Sequence, residues 1–341
     1  MNTRIFATIA GALAMLATPF TAAQAEDIEN QFDSYFGTEV RAPRDYAPAY
    51  DSVLEQQIAR LAEASQGRIG VYAIDLSTGN EVGILADQRF PLASTSKVAI
   101  AATYLAGVDQ GRWSLTSEFR LPRPGGAYLS AREHLNLMIS KSCNDCTDAL
   151  LEAVGGPAAV NAWMRQAGIA EFQIDRNIRA LVNEDGRIDP ASSVDYRDSA
   201  TPRAMGQLLA GVYQGRWLSP TSRQVLLDAM AGTTTGKQRM RSALPMSAQL
   251  AHKTGTLSRT ASDIGIFHTP DGRAIAAAIY VTGQSPSMEV ENGNRSVKLT
   301  ARRNRDARIS DITGALYQGF MQSNGNGRVY ADATYTANAG L

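Results

Sequence analysis

Cysteine is nearly absent from this chain. With only Cys143 and Cys146 in 341 residues, no disulfide framework can hold it together, so the fold must rest on packing. Histidine is scarce too: His134, His252 and His268 lie far apart, at no metal-ligand spacing, so no structural zinc is expected. An excess charge of either sign is missing as well. The 33 basic and 33 acidic residues cancel, and no Lys/Arg block gathers, which disfavours nucleic acid or an anionic membrane as partner. After the first 25 residues no apolar run is long enough to span a bilayer. No internal repeat is present, and no metal or organic cofactor is implied.

What is there begins with a leader. Arg4 gives a positive start, Ile5 to Phe20 is nearly uncharged and apolar, and Ala23-Gln24-Ala25 fits a small-x-small cleavage site. Residues 1–25 are therefore expected to be a signal peptide, and the product periplasmic or secreted and monomeric. A polar N-terminal extension is expected over 26–50, a catalytic domain over 51–322 and a flexible tail over 323–341.

Within that domain, Leu54, Ile58 and Leu61 mark one face of a first helix. Arg68–Leu76 and Glu81–Leu85 read as strands joined by the Ser77-Thr78-Gly79-Asn80 turn. Several helices follow, interrupted by an irregular stretch at 114–127 and a long loop at 168–200. Gln249–Lys253, Ser262–His268 and Ala274–Val281 read as strands again, and Ile309, Ile312, Leu316 and Phe320 mark a closing helix. That order predicts an α+β fold: an antiparallel sheet built from both chain ends (51–93 and 246–322), with an all-α lobe (94–245) inserted between them.

Three short motifs carry chemistry. Ser94 and Lys97 stand three apart at the start of a helix, where the amine can reach the hydroxyl and take its proton. Ser142-Cys143-Asn144 follows an apolar helix, and Lys253-Thr254-Gly255-Thr256 lies on a predicted strand. Together they supply the needs of acyl transfer: nucleophile (Ser94), base (Lys97), proton relay (Ser142) and a cation for an anionic substrate (Lys253). The N–H groups of Ser94 and Thr256 can hold an oxyanion, Asn144 can bind a substrate amide, and Gly255 lets substrate approach the strand.

In that order the three motifs resemble the signature of the penicillin-binding proteins and class A serine β-lactamases. Arg197-Asp198-Ser199-Ala200-Thr201-Pro202, the run from Thr234-Thr235-Gly236 to Leu244-Pro245, and Asp271-Gly272-Arg273 resemble class A specifically. The resemblance spans roughly Val53 to Phe320 and implies a sheet of about five antiparallel strands between helices, beside an all-α lobe. It implies Ser94 as the acylated nucleophile, Lys97 as activator, Ser142 as relay, and Asn144, Lys253, Thr254 and Thr256 as ligands of a small substrate, a β-lactam or a peptidoglycan peptide. Arg239 matches an arginine that in some members adds a second cation; the plainer alternative is a solvated surface arginine.

One departure bears on function. The family's long loop reads Asp-Arg-x-Glu-x-x-Leu-Asn, its glutamate activating the water that frees the acyl-enzyme. Here Asp175-Arg176-Asn177-Ile178 puts isoleucine at that place. Glu184 and Asp185 follow, either as a displaced base or as solvated loop acids. Three functions stay open: a β-lactam hydrolase, a penicillin-binding or D,D-peptidase-like enzyme with slow deacylation, and a non-catalytic peptidoglycan- or partner-binding protein. Cys143 and Cys146 can be a disulfide across a turn or two free thiols.

Overall fold

A computed structural model describes residues 40–41, 52–63 and 65–337, with side chains to residue 322. The expected signal peptide lies outside the described residues. So does the N-terminal extension apart from Val40–Arg41, which pairs with Val194–Asp195.

In chain order, α1 (Val53–Glu63) leads into the hairpin β1 (Ile69–Asp75) and β2 (Glu81–Ile84). The helices α2 (Ser96–Asp109), α3 (Ala131–Ser140), α4 (Asn144–Val154) and α5 (Gly156–Gln166) follow. A short α6 (Ile178–Asn183) sits in the long connection before α7 (Pro202–Gln214) and α8 (Pro220–Ala231). Then come β3 (Ala251–Leu257), β4 (Thr260–His268), β5 (Ala274–Thr282) and α9 (Arg295–Ala337).

The sheet runs β3-β4-β5-β1-β2, antiparallel at every step, as the element order predicts. The two chain ends meet where β5 pairs with β1, Ile279 opposite Val71. Side chains alternate across a strand, and β5 uses both faces. Ala274, Ala276, Ala278 and Tyr280 face the helical lobe, while Ile275, Ala277, Ile279 and Val281 face α1 and α9. Layers on both sides explain why this strand is one continuous apolar run rather than an alternating one. Small residues let the layers close. A Cβ on Gly206 of α7 would sit 2.2 Å from the Tyr72 ring, so only glycine lets that helix lie on the sheet.

The α lobe wraps α2, in which every residue from Ser96 to Gly107 is buried. A helix apolar all round belongs in an interior, and each Leu or Ile it buries contributes roughly 1.5–3 kcal/mol. The Ser94–Lys97 motif therefore starts from a rigid base.

Four stretches differ from the sequence expectation. The irregular 114–127 region carries one strand of a small ribbon, Glu118–Arg120 paired with Tyr128–Ser130. The strand expected to stop at Lys253 continues to Leu257, because its pairing with β4 runs through Leu257–Thr260. The 168–200 loop is tied down by α6 and by Phe172–Gln173 and Ser199–Ala200, which pair with each other. The closing helix, marked in the sequence as far as Phe320, continues to Ala337, since a helix already anchored there adds residues without a new nucleation cost.

Candidate active site

Ser94 sits on a tight turn. Ala93 takes a left-handed φ of +47°, and residues 93–95 form a 3₁₀ turn that runs straight into α2. For a residue with a Cβ such a backbone costs about 1–3 kcal/mol, so it must be held from outside. The Thr95 hydroxyl holds it by donating to the Leu92 carbonyl at 2.6 Å and meeting the buried Tyr280 hydroxyl at 3.0 Å. The Ser96 hydroxyl bonds the Ala93 carbonyl at 2.9 Å. Ser94 itself is half-buried while its neighbours from Leu92 to Lys97 are buried, so this turn offers one side chain to the outside.

Lys97 is fully buried in the first turn of α2. Its Nζ donates to the Ser142 carbonyl at 2.8 Å and to Asn144 Oδ1 at 2.7 Å, and lies 3.2 Å from Ser142 Oγ. Lys253 reaches the same hydroxyl from β3 at 3.0 Å and donates to the Thr254 carbonyl at 2.8 Å. Ser142 thus bridges two lysines, and it does so from a left-handed backbone, φ +58°. The structure brings Ser142, Asn144 and both lysines together.

The two amines do not behave as ordinary lysines. Burial pushes Lys97 down to about 6, the Lys253 charge pushes the same way, and Asp148 opposes both. Burial also pushes Lys253 down to about 7, against the Asp263 carboxylate and with the help of Arg239. Near neutral pH, then, Lys97 is largely an uncharged amine able to accept a proton.

The edge strand β3 closes the other side. A Cβ on Gly255 would lie 2.4 Å from Ser262 Oγ, 3.0 Å from the Leu92 carbonyl oxygen and 3.1 Å from Ala93 Cβ. Besides the expected approach of substrate, this glycine has a packing reason: it lets β3 close on the Ser94 turn itself. The Thr254 hydroxyl meets that of Thr235 at 2.6 Å, and Thr256 is exposed. Arg239 is no surface arginine. It is 6 % exposed and donates to the Gly255 and Ser262 carbonyls at 2.7 and 2.9 Å, to Thr256 Oγ1 at 2.7 Å and to Asp306 at 2.6 Å. Its fork is used in orienting Thr256, and its charge acts on the site from behind the strand.

The long loop tells a different story. Ile178 is buried, and its N–H donates to Asp148 Oδ1 at 2.7 Å; the Arg179 N–H donates to Oδ2 at 3.1 Å. Asp148 is a residue the motif reading missed. Burial raises its pKa, and it lies one turn past Asn144 on α4, close enough to act on Lys97. An acidic residue on the buried face of an otherwise apolar helix is the signal that could have found it. Glu184 pairs with Arg176 at 2.6 Å, and Arg176 in turn holds Asp198 at 2.6 Å. Both oxygens of Asp185 accept the Ser258 N–H at 2.9 Å, and burial pushes this carboxyl up. Both acids therefore have structural partners of their own.

Cys143 and Cys146 form a disulfide, their Cα atoms 5.3 Å apart, at the N-terminus of α4. Cys143 caps the helix that begins at Asn144, its Sγ accepting the Cys146 N–H at 3.1 Å. Among the described residues no cluster of three or more metal-ligating side chains occurs, and no helix is long and apolar enough to cross a membrane.

The sequence profile of the Beta-lactamase enzyme family matches residues 53–320, most of the chain. The chain belongs to the class A serine β-lactamase family. It is 31 % identical over 271 residues to the carbapenem-hydrolyzing β-lactamase KPC of Klebsiella oxytoca, covering 75 % of this chain and 89 % of that one. With β-lactamase SME-1 of Serratia marcescens the identity is 29 % over 245 residues, 67 % and 81 % of the two chains. A solved class A β-lactamase described as the last common ancestor of Gram-negative bacteria superposes with TM-score 0.69 at 32 % identity, over 79 % of this chain and 100 % of that chain. A β-lactamase from Chitinophaga pinensis gives 0.67 at 28 %, over 79 % and 99 %. This β-lactamase-family enzyme shares their five-stranded sheet flanked by helices.

Proposed function

We propose that the protein opens β-lactam rings by forming an acyl ester on Ser94 and then hydrolyses that ester, with hydrolysis as the slow step. Neutral Lys97 takes the Ser94 proton as Oγ attacks the ring carbonyl carbon. The N–H groups of Ser94 and Thr256 hold the oxyanion. The proton travels from Lys97 through Ser142 Oγ to the ring nitrogen as the C–N bond breaks. Lys253, Thr254 and Thr256 bind the substrate carboxylate, with Arg239 orienting Thr256. Asn144, whose Oδ1 faces Lys97, keeps its amide N–H₂ for the carbonyl of the substrate side chain.

The observation that carries this reading is the Ser142 hydroxyl between Lys97 and Lys253, both with depressed pKa values. Two buried lysines on one serine are costly to keep, and a non-catalytic binding protein has no use for them. The leader pattern of residues 1–25 supports export to the periplasm or beyond.

A second reading rests on Ile178. With no carboxylate at that place and with Glu184 and Asp185 engaged elsewhere, the acyl-enzyme can persist, as in a penicillin-binding protein or D,D-peptidase. A fluorescent penicillin tests the shared step. We expect one covalent adduct per chain, absent in Ser94→Ala. An unlabelled wild-type protein, or equal labelling of the variant, would overturn both readings.

A further inference from the structure

We propose that the Cys143–Cys146 disulfide is a thiol–disulfide exchange site whose redox state gates acylation of Ser94, an inference that rests on the acyl-serine reading above. The argument is one of position. Every hydrogen bond described for Lys97 Nζ ends on Ser142 or Asn144, the two residues that flank Cys143. The disulfide fastens that segment to the first turn of α4, and Ser142 is held in a left-handed backbone that a residue with a Cβ rarely adopts. Further local anchors bear on Cys143: its N–H donates to the Leu137 carbonyl at 3.1 Å, and the Thr147 hydroxyl donates to its carbonyl at 2.7 Å. None of them acts on Ser142 itself.

The pair is built for attack from one side. Cys143 is half-buried and borders the site, whereas Cys146 is 1 % exposed. A thiolate of a dithiol attacks Cys143 Sγ, the Cys143–Cys146 bond breaks, and Cys146 leaves as a thiolate that takes a proton. The second sulfur of the dithiol then attacks the mixed disulfide and frees Cys143, which the Cys146 N–H at the helix N-terminus favours as a thiolate. In sum the protein disulfide gains two electrons and two protons, and the dithiol becomes a disulfide. With the tie open, Ser142 can leave its left-handed conformation, and the relay between Lys97 and Lys253 loosens. The partner class is a small dithiol or a protein dithiol reductant.

Dithiothreitol on the full-length native protein tests this. Thiol titration without denaturant is expected to find two new thiols, while circular dichroism keeps its native spectrum. The rate of labelling by a fluorescent penicillin is expected to fall about tenfold or more, as small misplacements of reacting groups cost. Reoxidation restores it. A double variant, Cys143→Ser with Cys146→Ser, stays at the slow rate and ignores dithiothreitol. Acyl-enzyme formed before reduction breaks down at an unchanged rate, which a general loosening of the fold would not allow. Oxidised protein that labels, with a rate indifferent to dithiothreitol, overturns the gate alone, as does a disulfide that yields no thiols in the native protein or a parallel change in breakdown. Oxidised protein that fails to label overturns the gate together with the acyl-serine reading.

Discussion

Two walls of the same site face each other here. On one, Lys97, Ser142 and Lys253 are set on the buried helix α2, a disulfide-tied turn and a sheet edge, beside the Ser94 turn, and the three connect through bonds of 2.8 to 3.2 Å. On the other, the long loop keeps its frame, Arg176 on Asp198 and Asp148 on the start of α6, yet presents buried Ile178 where its relatives' pattern calls for a carboxylate. Intact scaffolding with one chemical group missing teaches that loop shape and loop chemistry are separable. In the mechanism proposed here, every residue that loads Ser94 is present, while the residue the family's pattern uses to unload it is replaced by Ile178.

That contrast breaks most sharply at Lys97. Lys97→Met is expected to slow acylation by roughly 10²–10⁴-fold, the usual weight of a general base, measured as the labelling rate. In the parent protein the rate is expected to rise as pH passes about 6, where Lys97 becomes neutral, and to fall above about 7 as Lys253 loses its charge. The same variant should be more stable. Lys97 has a lowered pKa when folded, so between about 6 and the ordinary lysine value the unfolded chain binds more protons, and stability rises with pH. The penalty is full below pH 6, so the gain in melting temperature on removing the amine is expected to be largest there.

Ile178→Glu restores a carboxylate to the other wall. Breakdown of the acyl-enzyme, followed by intact-protein mass spectrometry, is expected to quicken by about 10²-fold while labelling stays nearly constant. An unchanged lifetime would mean that this wall lacks more than one group. Asp148→Asn touches both walls. Without the carboxylate charge Lys97 gives up its proton more readily, so the acid limb of the labelling profile moves to lower pH. One amide oxygen cannot replace two carboxylate oxygens for Ile178 and Arg179, so about 1 kcal/mol of stability should be lost in chemical denaturation. The smallest effect belongs to Glu184→Gln and Asp185→Asn: breakdown within about twofold of the parent, and less than about 1 kcal/mol of stability for the partly exposed Glu184 pair. A large loss of breakdown in either variant would reveal a displaced base.

Much of this was legible in the residues. The apolar run of β5, the periodic face of α9 and the three motifs in order carry the fold and the residues proposed for acylation, because each is a local pattern that tertiary structure preserves. What stayed hidden depends on contacts distant in sequence. The burial of Arg239 behind β3 needs Asp306 on α9, and the anchoring role of Asp148 needs a loop that returns some 30 residues later. Gly255 showed its importance but not its reason, since the neighbour it admits, Ala93, is 162 positions away. Spacing alone could not choose between a bond and two thiols at Cys143 and Cys146, because it does not fix the backbone that brings their Cα atoms to 5.3 Å.

Rapid mixing with a chromogenic cephalosporin of the nitrocefin type tests the asymmetry of the two walls most directly. A burst of one equivalent of opened ring per chain, followed by turnover slower than the burst, is the expected trace. Many equivalents released at the initial rate, with no burst, would contradict it and show that Ser94 is unloaded as readily as it is loaded.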